Sequence, residues 1–304
     1  MPNTRARRPD LLDPPTLARL GGLELLARKV VEGFLMGLHR SPHRGFSAEF
    51  AELRNYQPGD DLRYIDWRMY GRSDRFFVKQ FEEETNLRAH VLLDISASMD
   101  WSSRPGDLPT KLWYAKLVAA ALSLVLIRQG DTVGLTTFHH EIVSRTEARG
   151  GARQWAEIAH RLDAATAAGR TEPHAGLRDV ATRLRRRGLV VLISDMLVDR
   201  QETLTALRFL KHRGHEVLVF HLIDPGERDL PAAADVRFFD PESEQELRVN
   251  AADVREDYRA AVEEVISEWE RALVPDGIDY HLLDTDQPLS LAMRAYFRKR
   301  ERLG

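Results

Sequence analysis

Asp94, Ser96 and Ser98 stand two residues apart directly after the apolar run Val91-Leu92-Leu93. A short continuous apolar run predicts a strand buried on both faces. Its abrupt end in carboxylate, hydroxyl and hydroxyl would aim three oxygens into one small volume at the strand's carboxyl end. Hard divalent cations take oxygen shells of this kind, and Mg²⁺ uses few carboxylates while keeping several waters. The same residues also suit an ordinary strand-to-loop turn, in which Ser and Asp side chains satisfy backbone groups. A second apolar run, Leu189 to Ser194, ends at Asp195, and Thr171 stands just before a predicted helix start at Pro173. The candidate site residues are therefore Asp94, Ser96, Ser98, Thr171 and Asp195.

The elements that must position these side chains alternate between strand and helix. Apolar runs at 90–94, 131–138, 189–194, 217–223 and 280–283 predict strands. Helical periodicity covers 111–129, 154–165, 173–187, 200–213, 253–273 and 289–302. Such alternation with unbroken apolar strands predicts an α/β fold, a doubly wound and mostly parallel sheet with helices on both faces. The return of 141–146 after 131–138 adds one antiparallel strand at an edge. In an open sheet of this kind ligands sit beyond the carboxyl ends of the strands, where strand order reverses. The path between the strands ending at Asp94 and Asp195 runs out to the edge hairpin and back, which makes those strands neighbours across that point.

Three stretches divide the chain. Residues 1–45 read as an arm and a helix with an apolar stripe through Leu17, Leu20, Leu23, Leu26, Val30, Phe34 and Leu38, which Gly21-Gly22 can break in two. Residues 46–86 read as a β-rich segment in which Asp60, Asp61, Asp66 and Asp74 alternate with Arg63, Arg68, Arg72 and Arg75 around Trp67. That mixture predicts internal ion pairs and a buried Trp67. Residues 87–304 hold the sheet, with an inserted hairpin at about 236–250. This hairpin and the 46–84 stretch are expected outside the sheet and together in one small lobe.

Composition narrows the function classes. The 304 residues are 43% hydrophobic and 30% charged, which describes a globular chain. A net charge of −3 gives no global attraction to nucleic acid or anionic membranes. The absence of cysteine excludes disulfides, thiolate zinc sites and cysteine nucleophiles. No stretch reads as a membrane span, because Glu24, Arg28, Lys29 and Glu32 interrupt Leu20 to Leu38. A cytoplasmic location is expected.

The set Asp94-x-Ser96-x-Ser98, Thr171 and Asp195 resembles the metal-ion-dependent adhesion site, or MIDAS, of von Willebrand factor A domains. The segment RNYQPGDDLRYIDWRMYGRSDRFFVKQFEEE, ahead of LLDISASM, resembles specifically the domain-of-unknown-function 58 family. This resemblance spans roughly residues 40–225. It implies a von Willebrand A-like domain that binds a partner protein through a divalent cation, Mg²⁺ or another. It also implies adaptor or co-chaperone work beside a MoxR-type AAA+ ATPase. On that pattern Ser96 and Ser98 would touch the ion, Thr171 directly or through water, and Asp94 and Asp195 through coordinated waters. An open position would take a partner's carboxylate. Two residues depart from the pattern: Arg170 and Met196 stand where the family more often has glycine.

Rival chemistries are thinner. A Mg-dependent hydrolase using Asp94 and Asp195 is the alternative reading. A phosphoryl-transfer nucleophile at Asp94 would want a second Asp two residues on, and Ser96 stands there. No GxxxxGK[ST] loop occurs, and the scattered histidines form no HExxH pairing. Nucleic-acid binding through 63–75 or the basic tail 294–302 would set Asp60, Asp61, Asp66 and Asp74 against phosphates. A binding module, not an enzyme, is expected.

Overall fold

Apolar residues spaced three and four apart make the amino-terminal helices. The computed structural model describes residues 13–18, 21–39, 53–56, 67–73, 75–79, 87–168, 173–184, 186–230, 235–239 and 246–301. Helix α1 (Pro14–Ala18) and helix α2 (Leu23–His39) are separated at Gly21, whose φ of 120° is open only to glycine at low cost. The α2 stripe Leu23, Leu26, Val30, Val31 and Phe34 is buried, and Phe34 stacks on Phe297 at 5.3 Å between ring centroids.

The chain divides into two compact units, Leu38–Asn86 and the remainder. In the smaller, strands β1 (Leu53–Asn55) and β2 (Phe77–Lys79) pair antiparallel, with helix α3 (Trp67–Ser73) between them in sequence. Trp67 is 62% exposed, which corrects the expectation that it is buried. It meets Tyr70 edge-on at 6.3 Å, because a helix brings i and i+3 together on one face, while Tyr70 stacks on Phe76 at 4.4 Å. A tryptophan on an isolated two-turn helix can thus be served by its own neighbours. Asp60, Asp61, Arg63, Asp66 and Asp74 lie outside the described residues.

The larger unit continues in chain order with β3 (Arg88–Asp94), α4 (Lys111–Arg128), β4 (Thr132–Phe138), β5 (Ile142–Arg145), α5 (Ala152–Ala164) and α6 (Pro173–Arg183). Then follow β6 (Leu189–Ser194), α7 (Arg200–His212), β7 (Glu216–Ile223) and the single turn α8 (Pro225–Arg228). The chain closes with β8 (Asp235–Phe239), β9 (Glu246–Asn250), α9 (Ala251–Leu273), β10 (Asp279–Asp284) and α10 (Ser290–Glu301). One sheet has the order β10-β7-β6-β3-β4-β5, parallel except for β5, which runs antiparallel to β4 at the edge. This is the expected α/β fold with its single antiparallel edge strand. The pair β8–β9 forms its own two-stranded sheet in the larger unit. The hairpin and the strands of the 46–84 stretch thus both lie outside the six-stranded sheet, each in a two-stranded sheet of its own.

Period-two alternation sends side chains to the two faces. Leu92, Val190, Leu192, Val217 and Val219 pack with Leu177, Val180, Leu207, Leu210 and Trp269 of α6, α7 and α9, and with Leu184 just after α6. The opposite face is covered by α4, which is buried nearly all round and also touches α5 and α10. Burying a Leu or Val side chain is worth about 1.5–3 kcal/mol, so this two-sided core holds the strand ends firmly. Gly188 does not cap a helix: α6 ends at Arg183, and a Cβ at Gly188 would collide with Arg88's carbonyl oxygen. Glycine is required there to let β6 enter beside β3. Among the described residues no helix is long and apolar enough to cross a membrane.

Candidate functional site

The strands carrying the two aspartates are direct neighbours. Leu93 of β3 lies opposite Ile193 of β6, while β4 and β5 fill one flank and β7 and β10 the other. The reversal of strand order falls between β3 and β6, so Asp94 and Asp195 leave the sheet at the switch point. Asp94, Ser96 and Asp195 are buried, and Ser98 is half-buried.

Asp94 is held by hydrogen bonds alone. Ser194 Oγ donates to its Oδ2 at 2.6 Å, and Ser96 N donates to its Oδ1 at 2.9 Å. Ser96 Oγ and Ser98 Oγ lie 3.1 Å apart. No Lys, Arg or His pairs with Asp94 among the described residues. Burial, reinforced by the charge of Asp195, pushes the Asp94 carboxyl up to about 6, and the bonds from Ser194 and Ser96 only partly offset this.

Asp195 is held by a charge. Lys111 Nζ donates to Asp195 Oδ2 at 2.8 Å and also to Glu227 Oε1. The ammonium is fully buried. Burial pulls Lys111 down, but the two carboxylates outweigh burial and hold it above the ordinary lysine value. Burial likewise pushes Asp195 up, yet Lys111, the Ser98 hydroxyl and Leu197 N–H bring it below the ordinary aspartate value. Leu197 N donates to Asp195 Oδ1 at 3.2 Å. Glu227 is raised, burial exceeding the help from Lys111.

Local structure explains how Lys111 and Glu227 arrive. Thr110 caps α4, its hydroxyl accepting from Trp113 N, so Lys111 opens the first turn. A cation there opposes the helix dipole, and carboxylates across the sheet compensate it. Strand β7 ends at Ile223, and Asp224 after it caps α8 in a capping box with Glu227. Gly226 is packed so closely on Ser103 that a Cβ would collide with it, and Ser103 N donates to Asp224 Oδ2 at 3.1 Å. The loop after Ser98 is thereby fastened to the end of β7. Tyr258 of α9 donates to Glu227's carbonyl oxygen at 2.8 Å.

Met196 has φ of 55°, the left-handed region, while its side chain is buried. A non-glycine residue there is strained. Leu197 beside it is 56% exposed and Trp101, after the Ser98 loop, is 41% exposed. Two large apolar side chains thus stand on the loops leaving β3 and β6. Of the expected site residues, the structure brings Asp94, Ser96, Ser98 and Asp195 together. Thr171 and Arg170 lie outside the described residues. Sequence reasoning does not reach Lys111, Ser194 and Glu227, although a lysine in a helix's first turn is a visible anomaly.

The family model for "Protein of unknown function DUF58" matches residues 52–267. The chain belongs to the DUF58 family. The uncharacterized protein Rv1480 of Mycobacterium tuberculosis is 33% identical over 264 residues, covering 84% of this chain and 80% of that one. The uncharacterized protein YeaD of Bacillus subtilis is 35% identical over 52 residues, 17% of this chain and 13% of that one. Among solved structures, the conserved hypothetical protein BatB of Bacteroides thetaiotaomicron has a TM-score of 0.45 at 16% identity, covering 71% of this chain and 99% of that one. The SpRpn10 VWA domain has a TM-score of 0.41 at 15% identity, covering 68% of this chain and 94% of that one.

The DUF58 chain's strand-end residues can be tested against a divalent cation. Among the described residues no group of three or more His, Asp or Glu is placed to hold a metal, and the hydroxyls of Ser96 and Ser98 are the oxygens to test. Two neighbouring ligands in an octahedron of 2.1 Å bonds are about 3.0 Å apart, and the Ser96 and Ser98 oxygens are 3.1 Å apart. Among the described residues no cationic side chain pairs with the buried Asp94 beside them. The Asp94 side fits a hard cation; the Asp195 side already carries one in Lys111.

Proposed function

We propose that this DUF58 chain is a protein-interaction module that binds its partner at the carboxyl end of the sheet through a divalent cation. The observation that carries this reading is the Ser96–Ser98 hydroxyl pair beside a buried Asp94 that, among the described residues, has hydrogen bonds but no cationic partner. Ser96 and Ser98 would hold Mg²⁺ or another hard ion, with Asp94 and Asp195 ordering its waters. When bound, the ion supplies a positive centre able to accept a carboxylate from outside. Thr171 would complete the set. Ala168 N donates to Ile95's carbonyl oxygen at 2.9 Å, which brings the chain three residues before Thr171 against the loop after Asp94. Trp101 and Leu197 would supply the apolar contact that surrounds such an anchor.

The family resemblance supports a MoxR-type AAA+ ATPase, or its client, as the partner, and an adaptor or co-chaperone role. An ATP-consuming partner would place the pair in the cytoplasm. Binding is favoured over turnover because all four oxygens of Asp94 and Asp195 accept hydrogen bonds from the chain itself.

Capture of a MoxR-type ATPase by the tagged full chain tests this. Retention should need Mg²⁺, fall on adding EDTA, and be lost in Ser96→Ala/Ser98→Ala with unchanged folding. Capture indifferent to both EDTA and the double substitution would remove the metal from the reading. Absence of capture with Mg²⁺ present would remove that partner.

A further inference from the structure

We propose that Lys111 is a built-in competitor of the divalent cation: its ammonium occupies Asp195, so the free protein binds the ion weakly, through the Asp94 side alone. This rests on the cation reading above. It concerns a residue that the motif pattern does not include and that reaches the site from the start of a different helix.

Three features of the site carry the inference. The Lys111 ammonium is fully buried and 2.8 Å from Asp195 Oδ2, so one of the two carboxylates at the switch point is already neutralised. The other Asp195 oxygen accepts from Leu197 N at 3.2 Å, which leaves no oxygen of that carboxylate free of a donor. The second anchor of Lys111 is Glu227, and Glu227 is fixed by the capping box at the end of β7 and by Tyr258. The ammonium is therefore pinned from two elements and cannot swing away at little cost. A divalent ion beside Ser96 and Ser98 would face this fixed positive charge across Asp195. Repulsion between charges a few ångströms apart in a buried setting is worth far more than in water, so it must weaken the ion's binding.

The obvious substitution, Lys111→Met, removes a positive charge from the site and leaves the buried Asp195 and the half-buried Glu227 without their cation. A double substitution avoids both difficulties. Lys111→Met with Glu227→Gln removes one positive and one negative charge, so the site's net charge is unchanged. The amide introduced by Glu227→Gln also keeps an oxygen that can accept the Asp224 N–H, as Glu227 does at 2.9 Å. Any gain in affinity then reports the release of Asp195, not a change in overall field.

Mn²⁺ binding would be measured by titration calorimetry and by the loss of the free-ion electron-spin-resonance signal. The proteins are the full-length wild type, the double variant, the single Lys111→Met and the control Asp94→Ala. Circular dichroism and thermal unfolding report folding for each. The double variant should bind Mn²⁺ at least tenfold more tightly than wild type, Lys111→Met more tightly still if it folds, and Asp94→Ala more weakly. A folded double variant that binds no more tightly than a measurably binding wild type overturns the role given to Lys111 and leaves the cation reading in place. Absence of Mn²⁺ binding in both wild type and the folded double variant overturns both. Should the double variant not fold, Lys111→Gln with Glu227→Gln, which keeps hydrogen-bonding groups at both positions and the same net charge, takes its place and should show the same gain. Unchanged affinity there also overturns the role.

Discussion

Two aspartates end neighbouring strands of one sheet and are stabilised by opposite means. Asp94 lies level with Ser194, and Asp195 one residue beyond, as the pairing of Leu93 with Ile193 requires. Asp94 receives a hydroxyl and a backbone N–H, both neutral donors, and its carboxyl is pushed up to about 6 by burial. Asp195 receives a whole charge from Lys111, 84 residues away in sequence, and stays below the ordinary value despite equal burial. Burial alone therefore does not decide a carboxylate's state here. Among the described residues a single ammonium leaves one strand end paired with a charge and the other held by neutral donors.

The strongest way to break this contrast is to remove the ammonium. Lys111→Met should destabilise the protein by about 3–5 kcal/mol, the usual cost of leaving a buried ion-pair partner uncompensated. Urea unfolding with EDTA present measures it. A cost below about 1 kcal/mol would mean that water reaches Asp195 and that the two ends are alike.

Acid titration sharpens the contrast from the other end. Asp94 is raised from 3.8 to about 6, so the folded protein binds a proton there before the unfolded chain does. Its contribution to stability grows as pH falls from about 6 to about 4. His90 and His221 are lowered by burial from 6.5 to about 4, so the unfolded chain takes protons first and stability is lost between about 6.5 and 4. Each shift is worth roughly 3 kcal/mol, and two histidines outweigh one aspartate. Stability should therefore fall on acidification. In Asp94→Asn it should start about 1–3 kcal/mol higher at pH 7 and fall more steeply, the advantage disappearing near pH 4. A pH series of urea midpoints with EDTA decides this, and parallel curves for the two proteins would show Asp94 to be an ordinary aspartate.

The smallest effect lies at Met196, the residue after Asp195. Replacement by Ala and by Gly both forfeit a buried Met side chain, but Gly alone relieves the φ of 55°. Met196→Gly should be the more stable of the two by about 1 kcal/mol, against the usual order in which Gly is the worse. Thermal unfolding of the pair reads the sign directly.

Much of this was legible in the residues themselves. Unbroken apolar runs at Val91 to Leu93 and Leu189 to Ile193, short and rich in Val, Ile and Leu, pointed to two-sided strands, with Asp94 and Asp195 at their ends. The turn-back at 141–146 marked the edge of the sheet. The segment around Trp67 was not legible in the same way. Mixed charges and aromatics fit an ion-paired fold as well as a short helix, and helix α3 leaves Trp67 62% exposed. Gly188 directly follows the stretch of helical periodicity at 173–187, yet its need arises from β6 lying against Arg88.

By itself, the sequence determined which side chains would end each strand, because hydrophobic patterning along a strand is a local property. It pointed as well to the strands ending at Asp94 and Asp195 as neighbours, since the path out to the edge hairpin has to return. What only the tertiary structure decided is how the buried charges are matched. Lys111, Glu227 and Ser194 belong to a helix start, a capping box and a strand end, and no local pattern links them to Asp94 or Asp195. Charge neutralisation acts through space at a few ångströms, so the partner of a buried carboxylate is set by which elements the fold brings together.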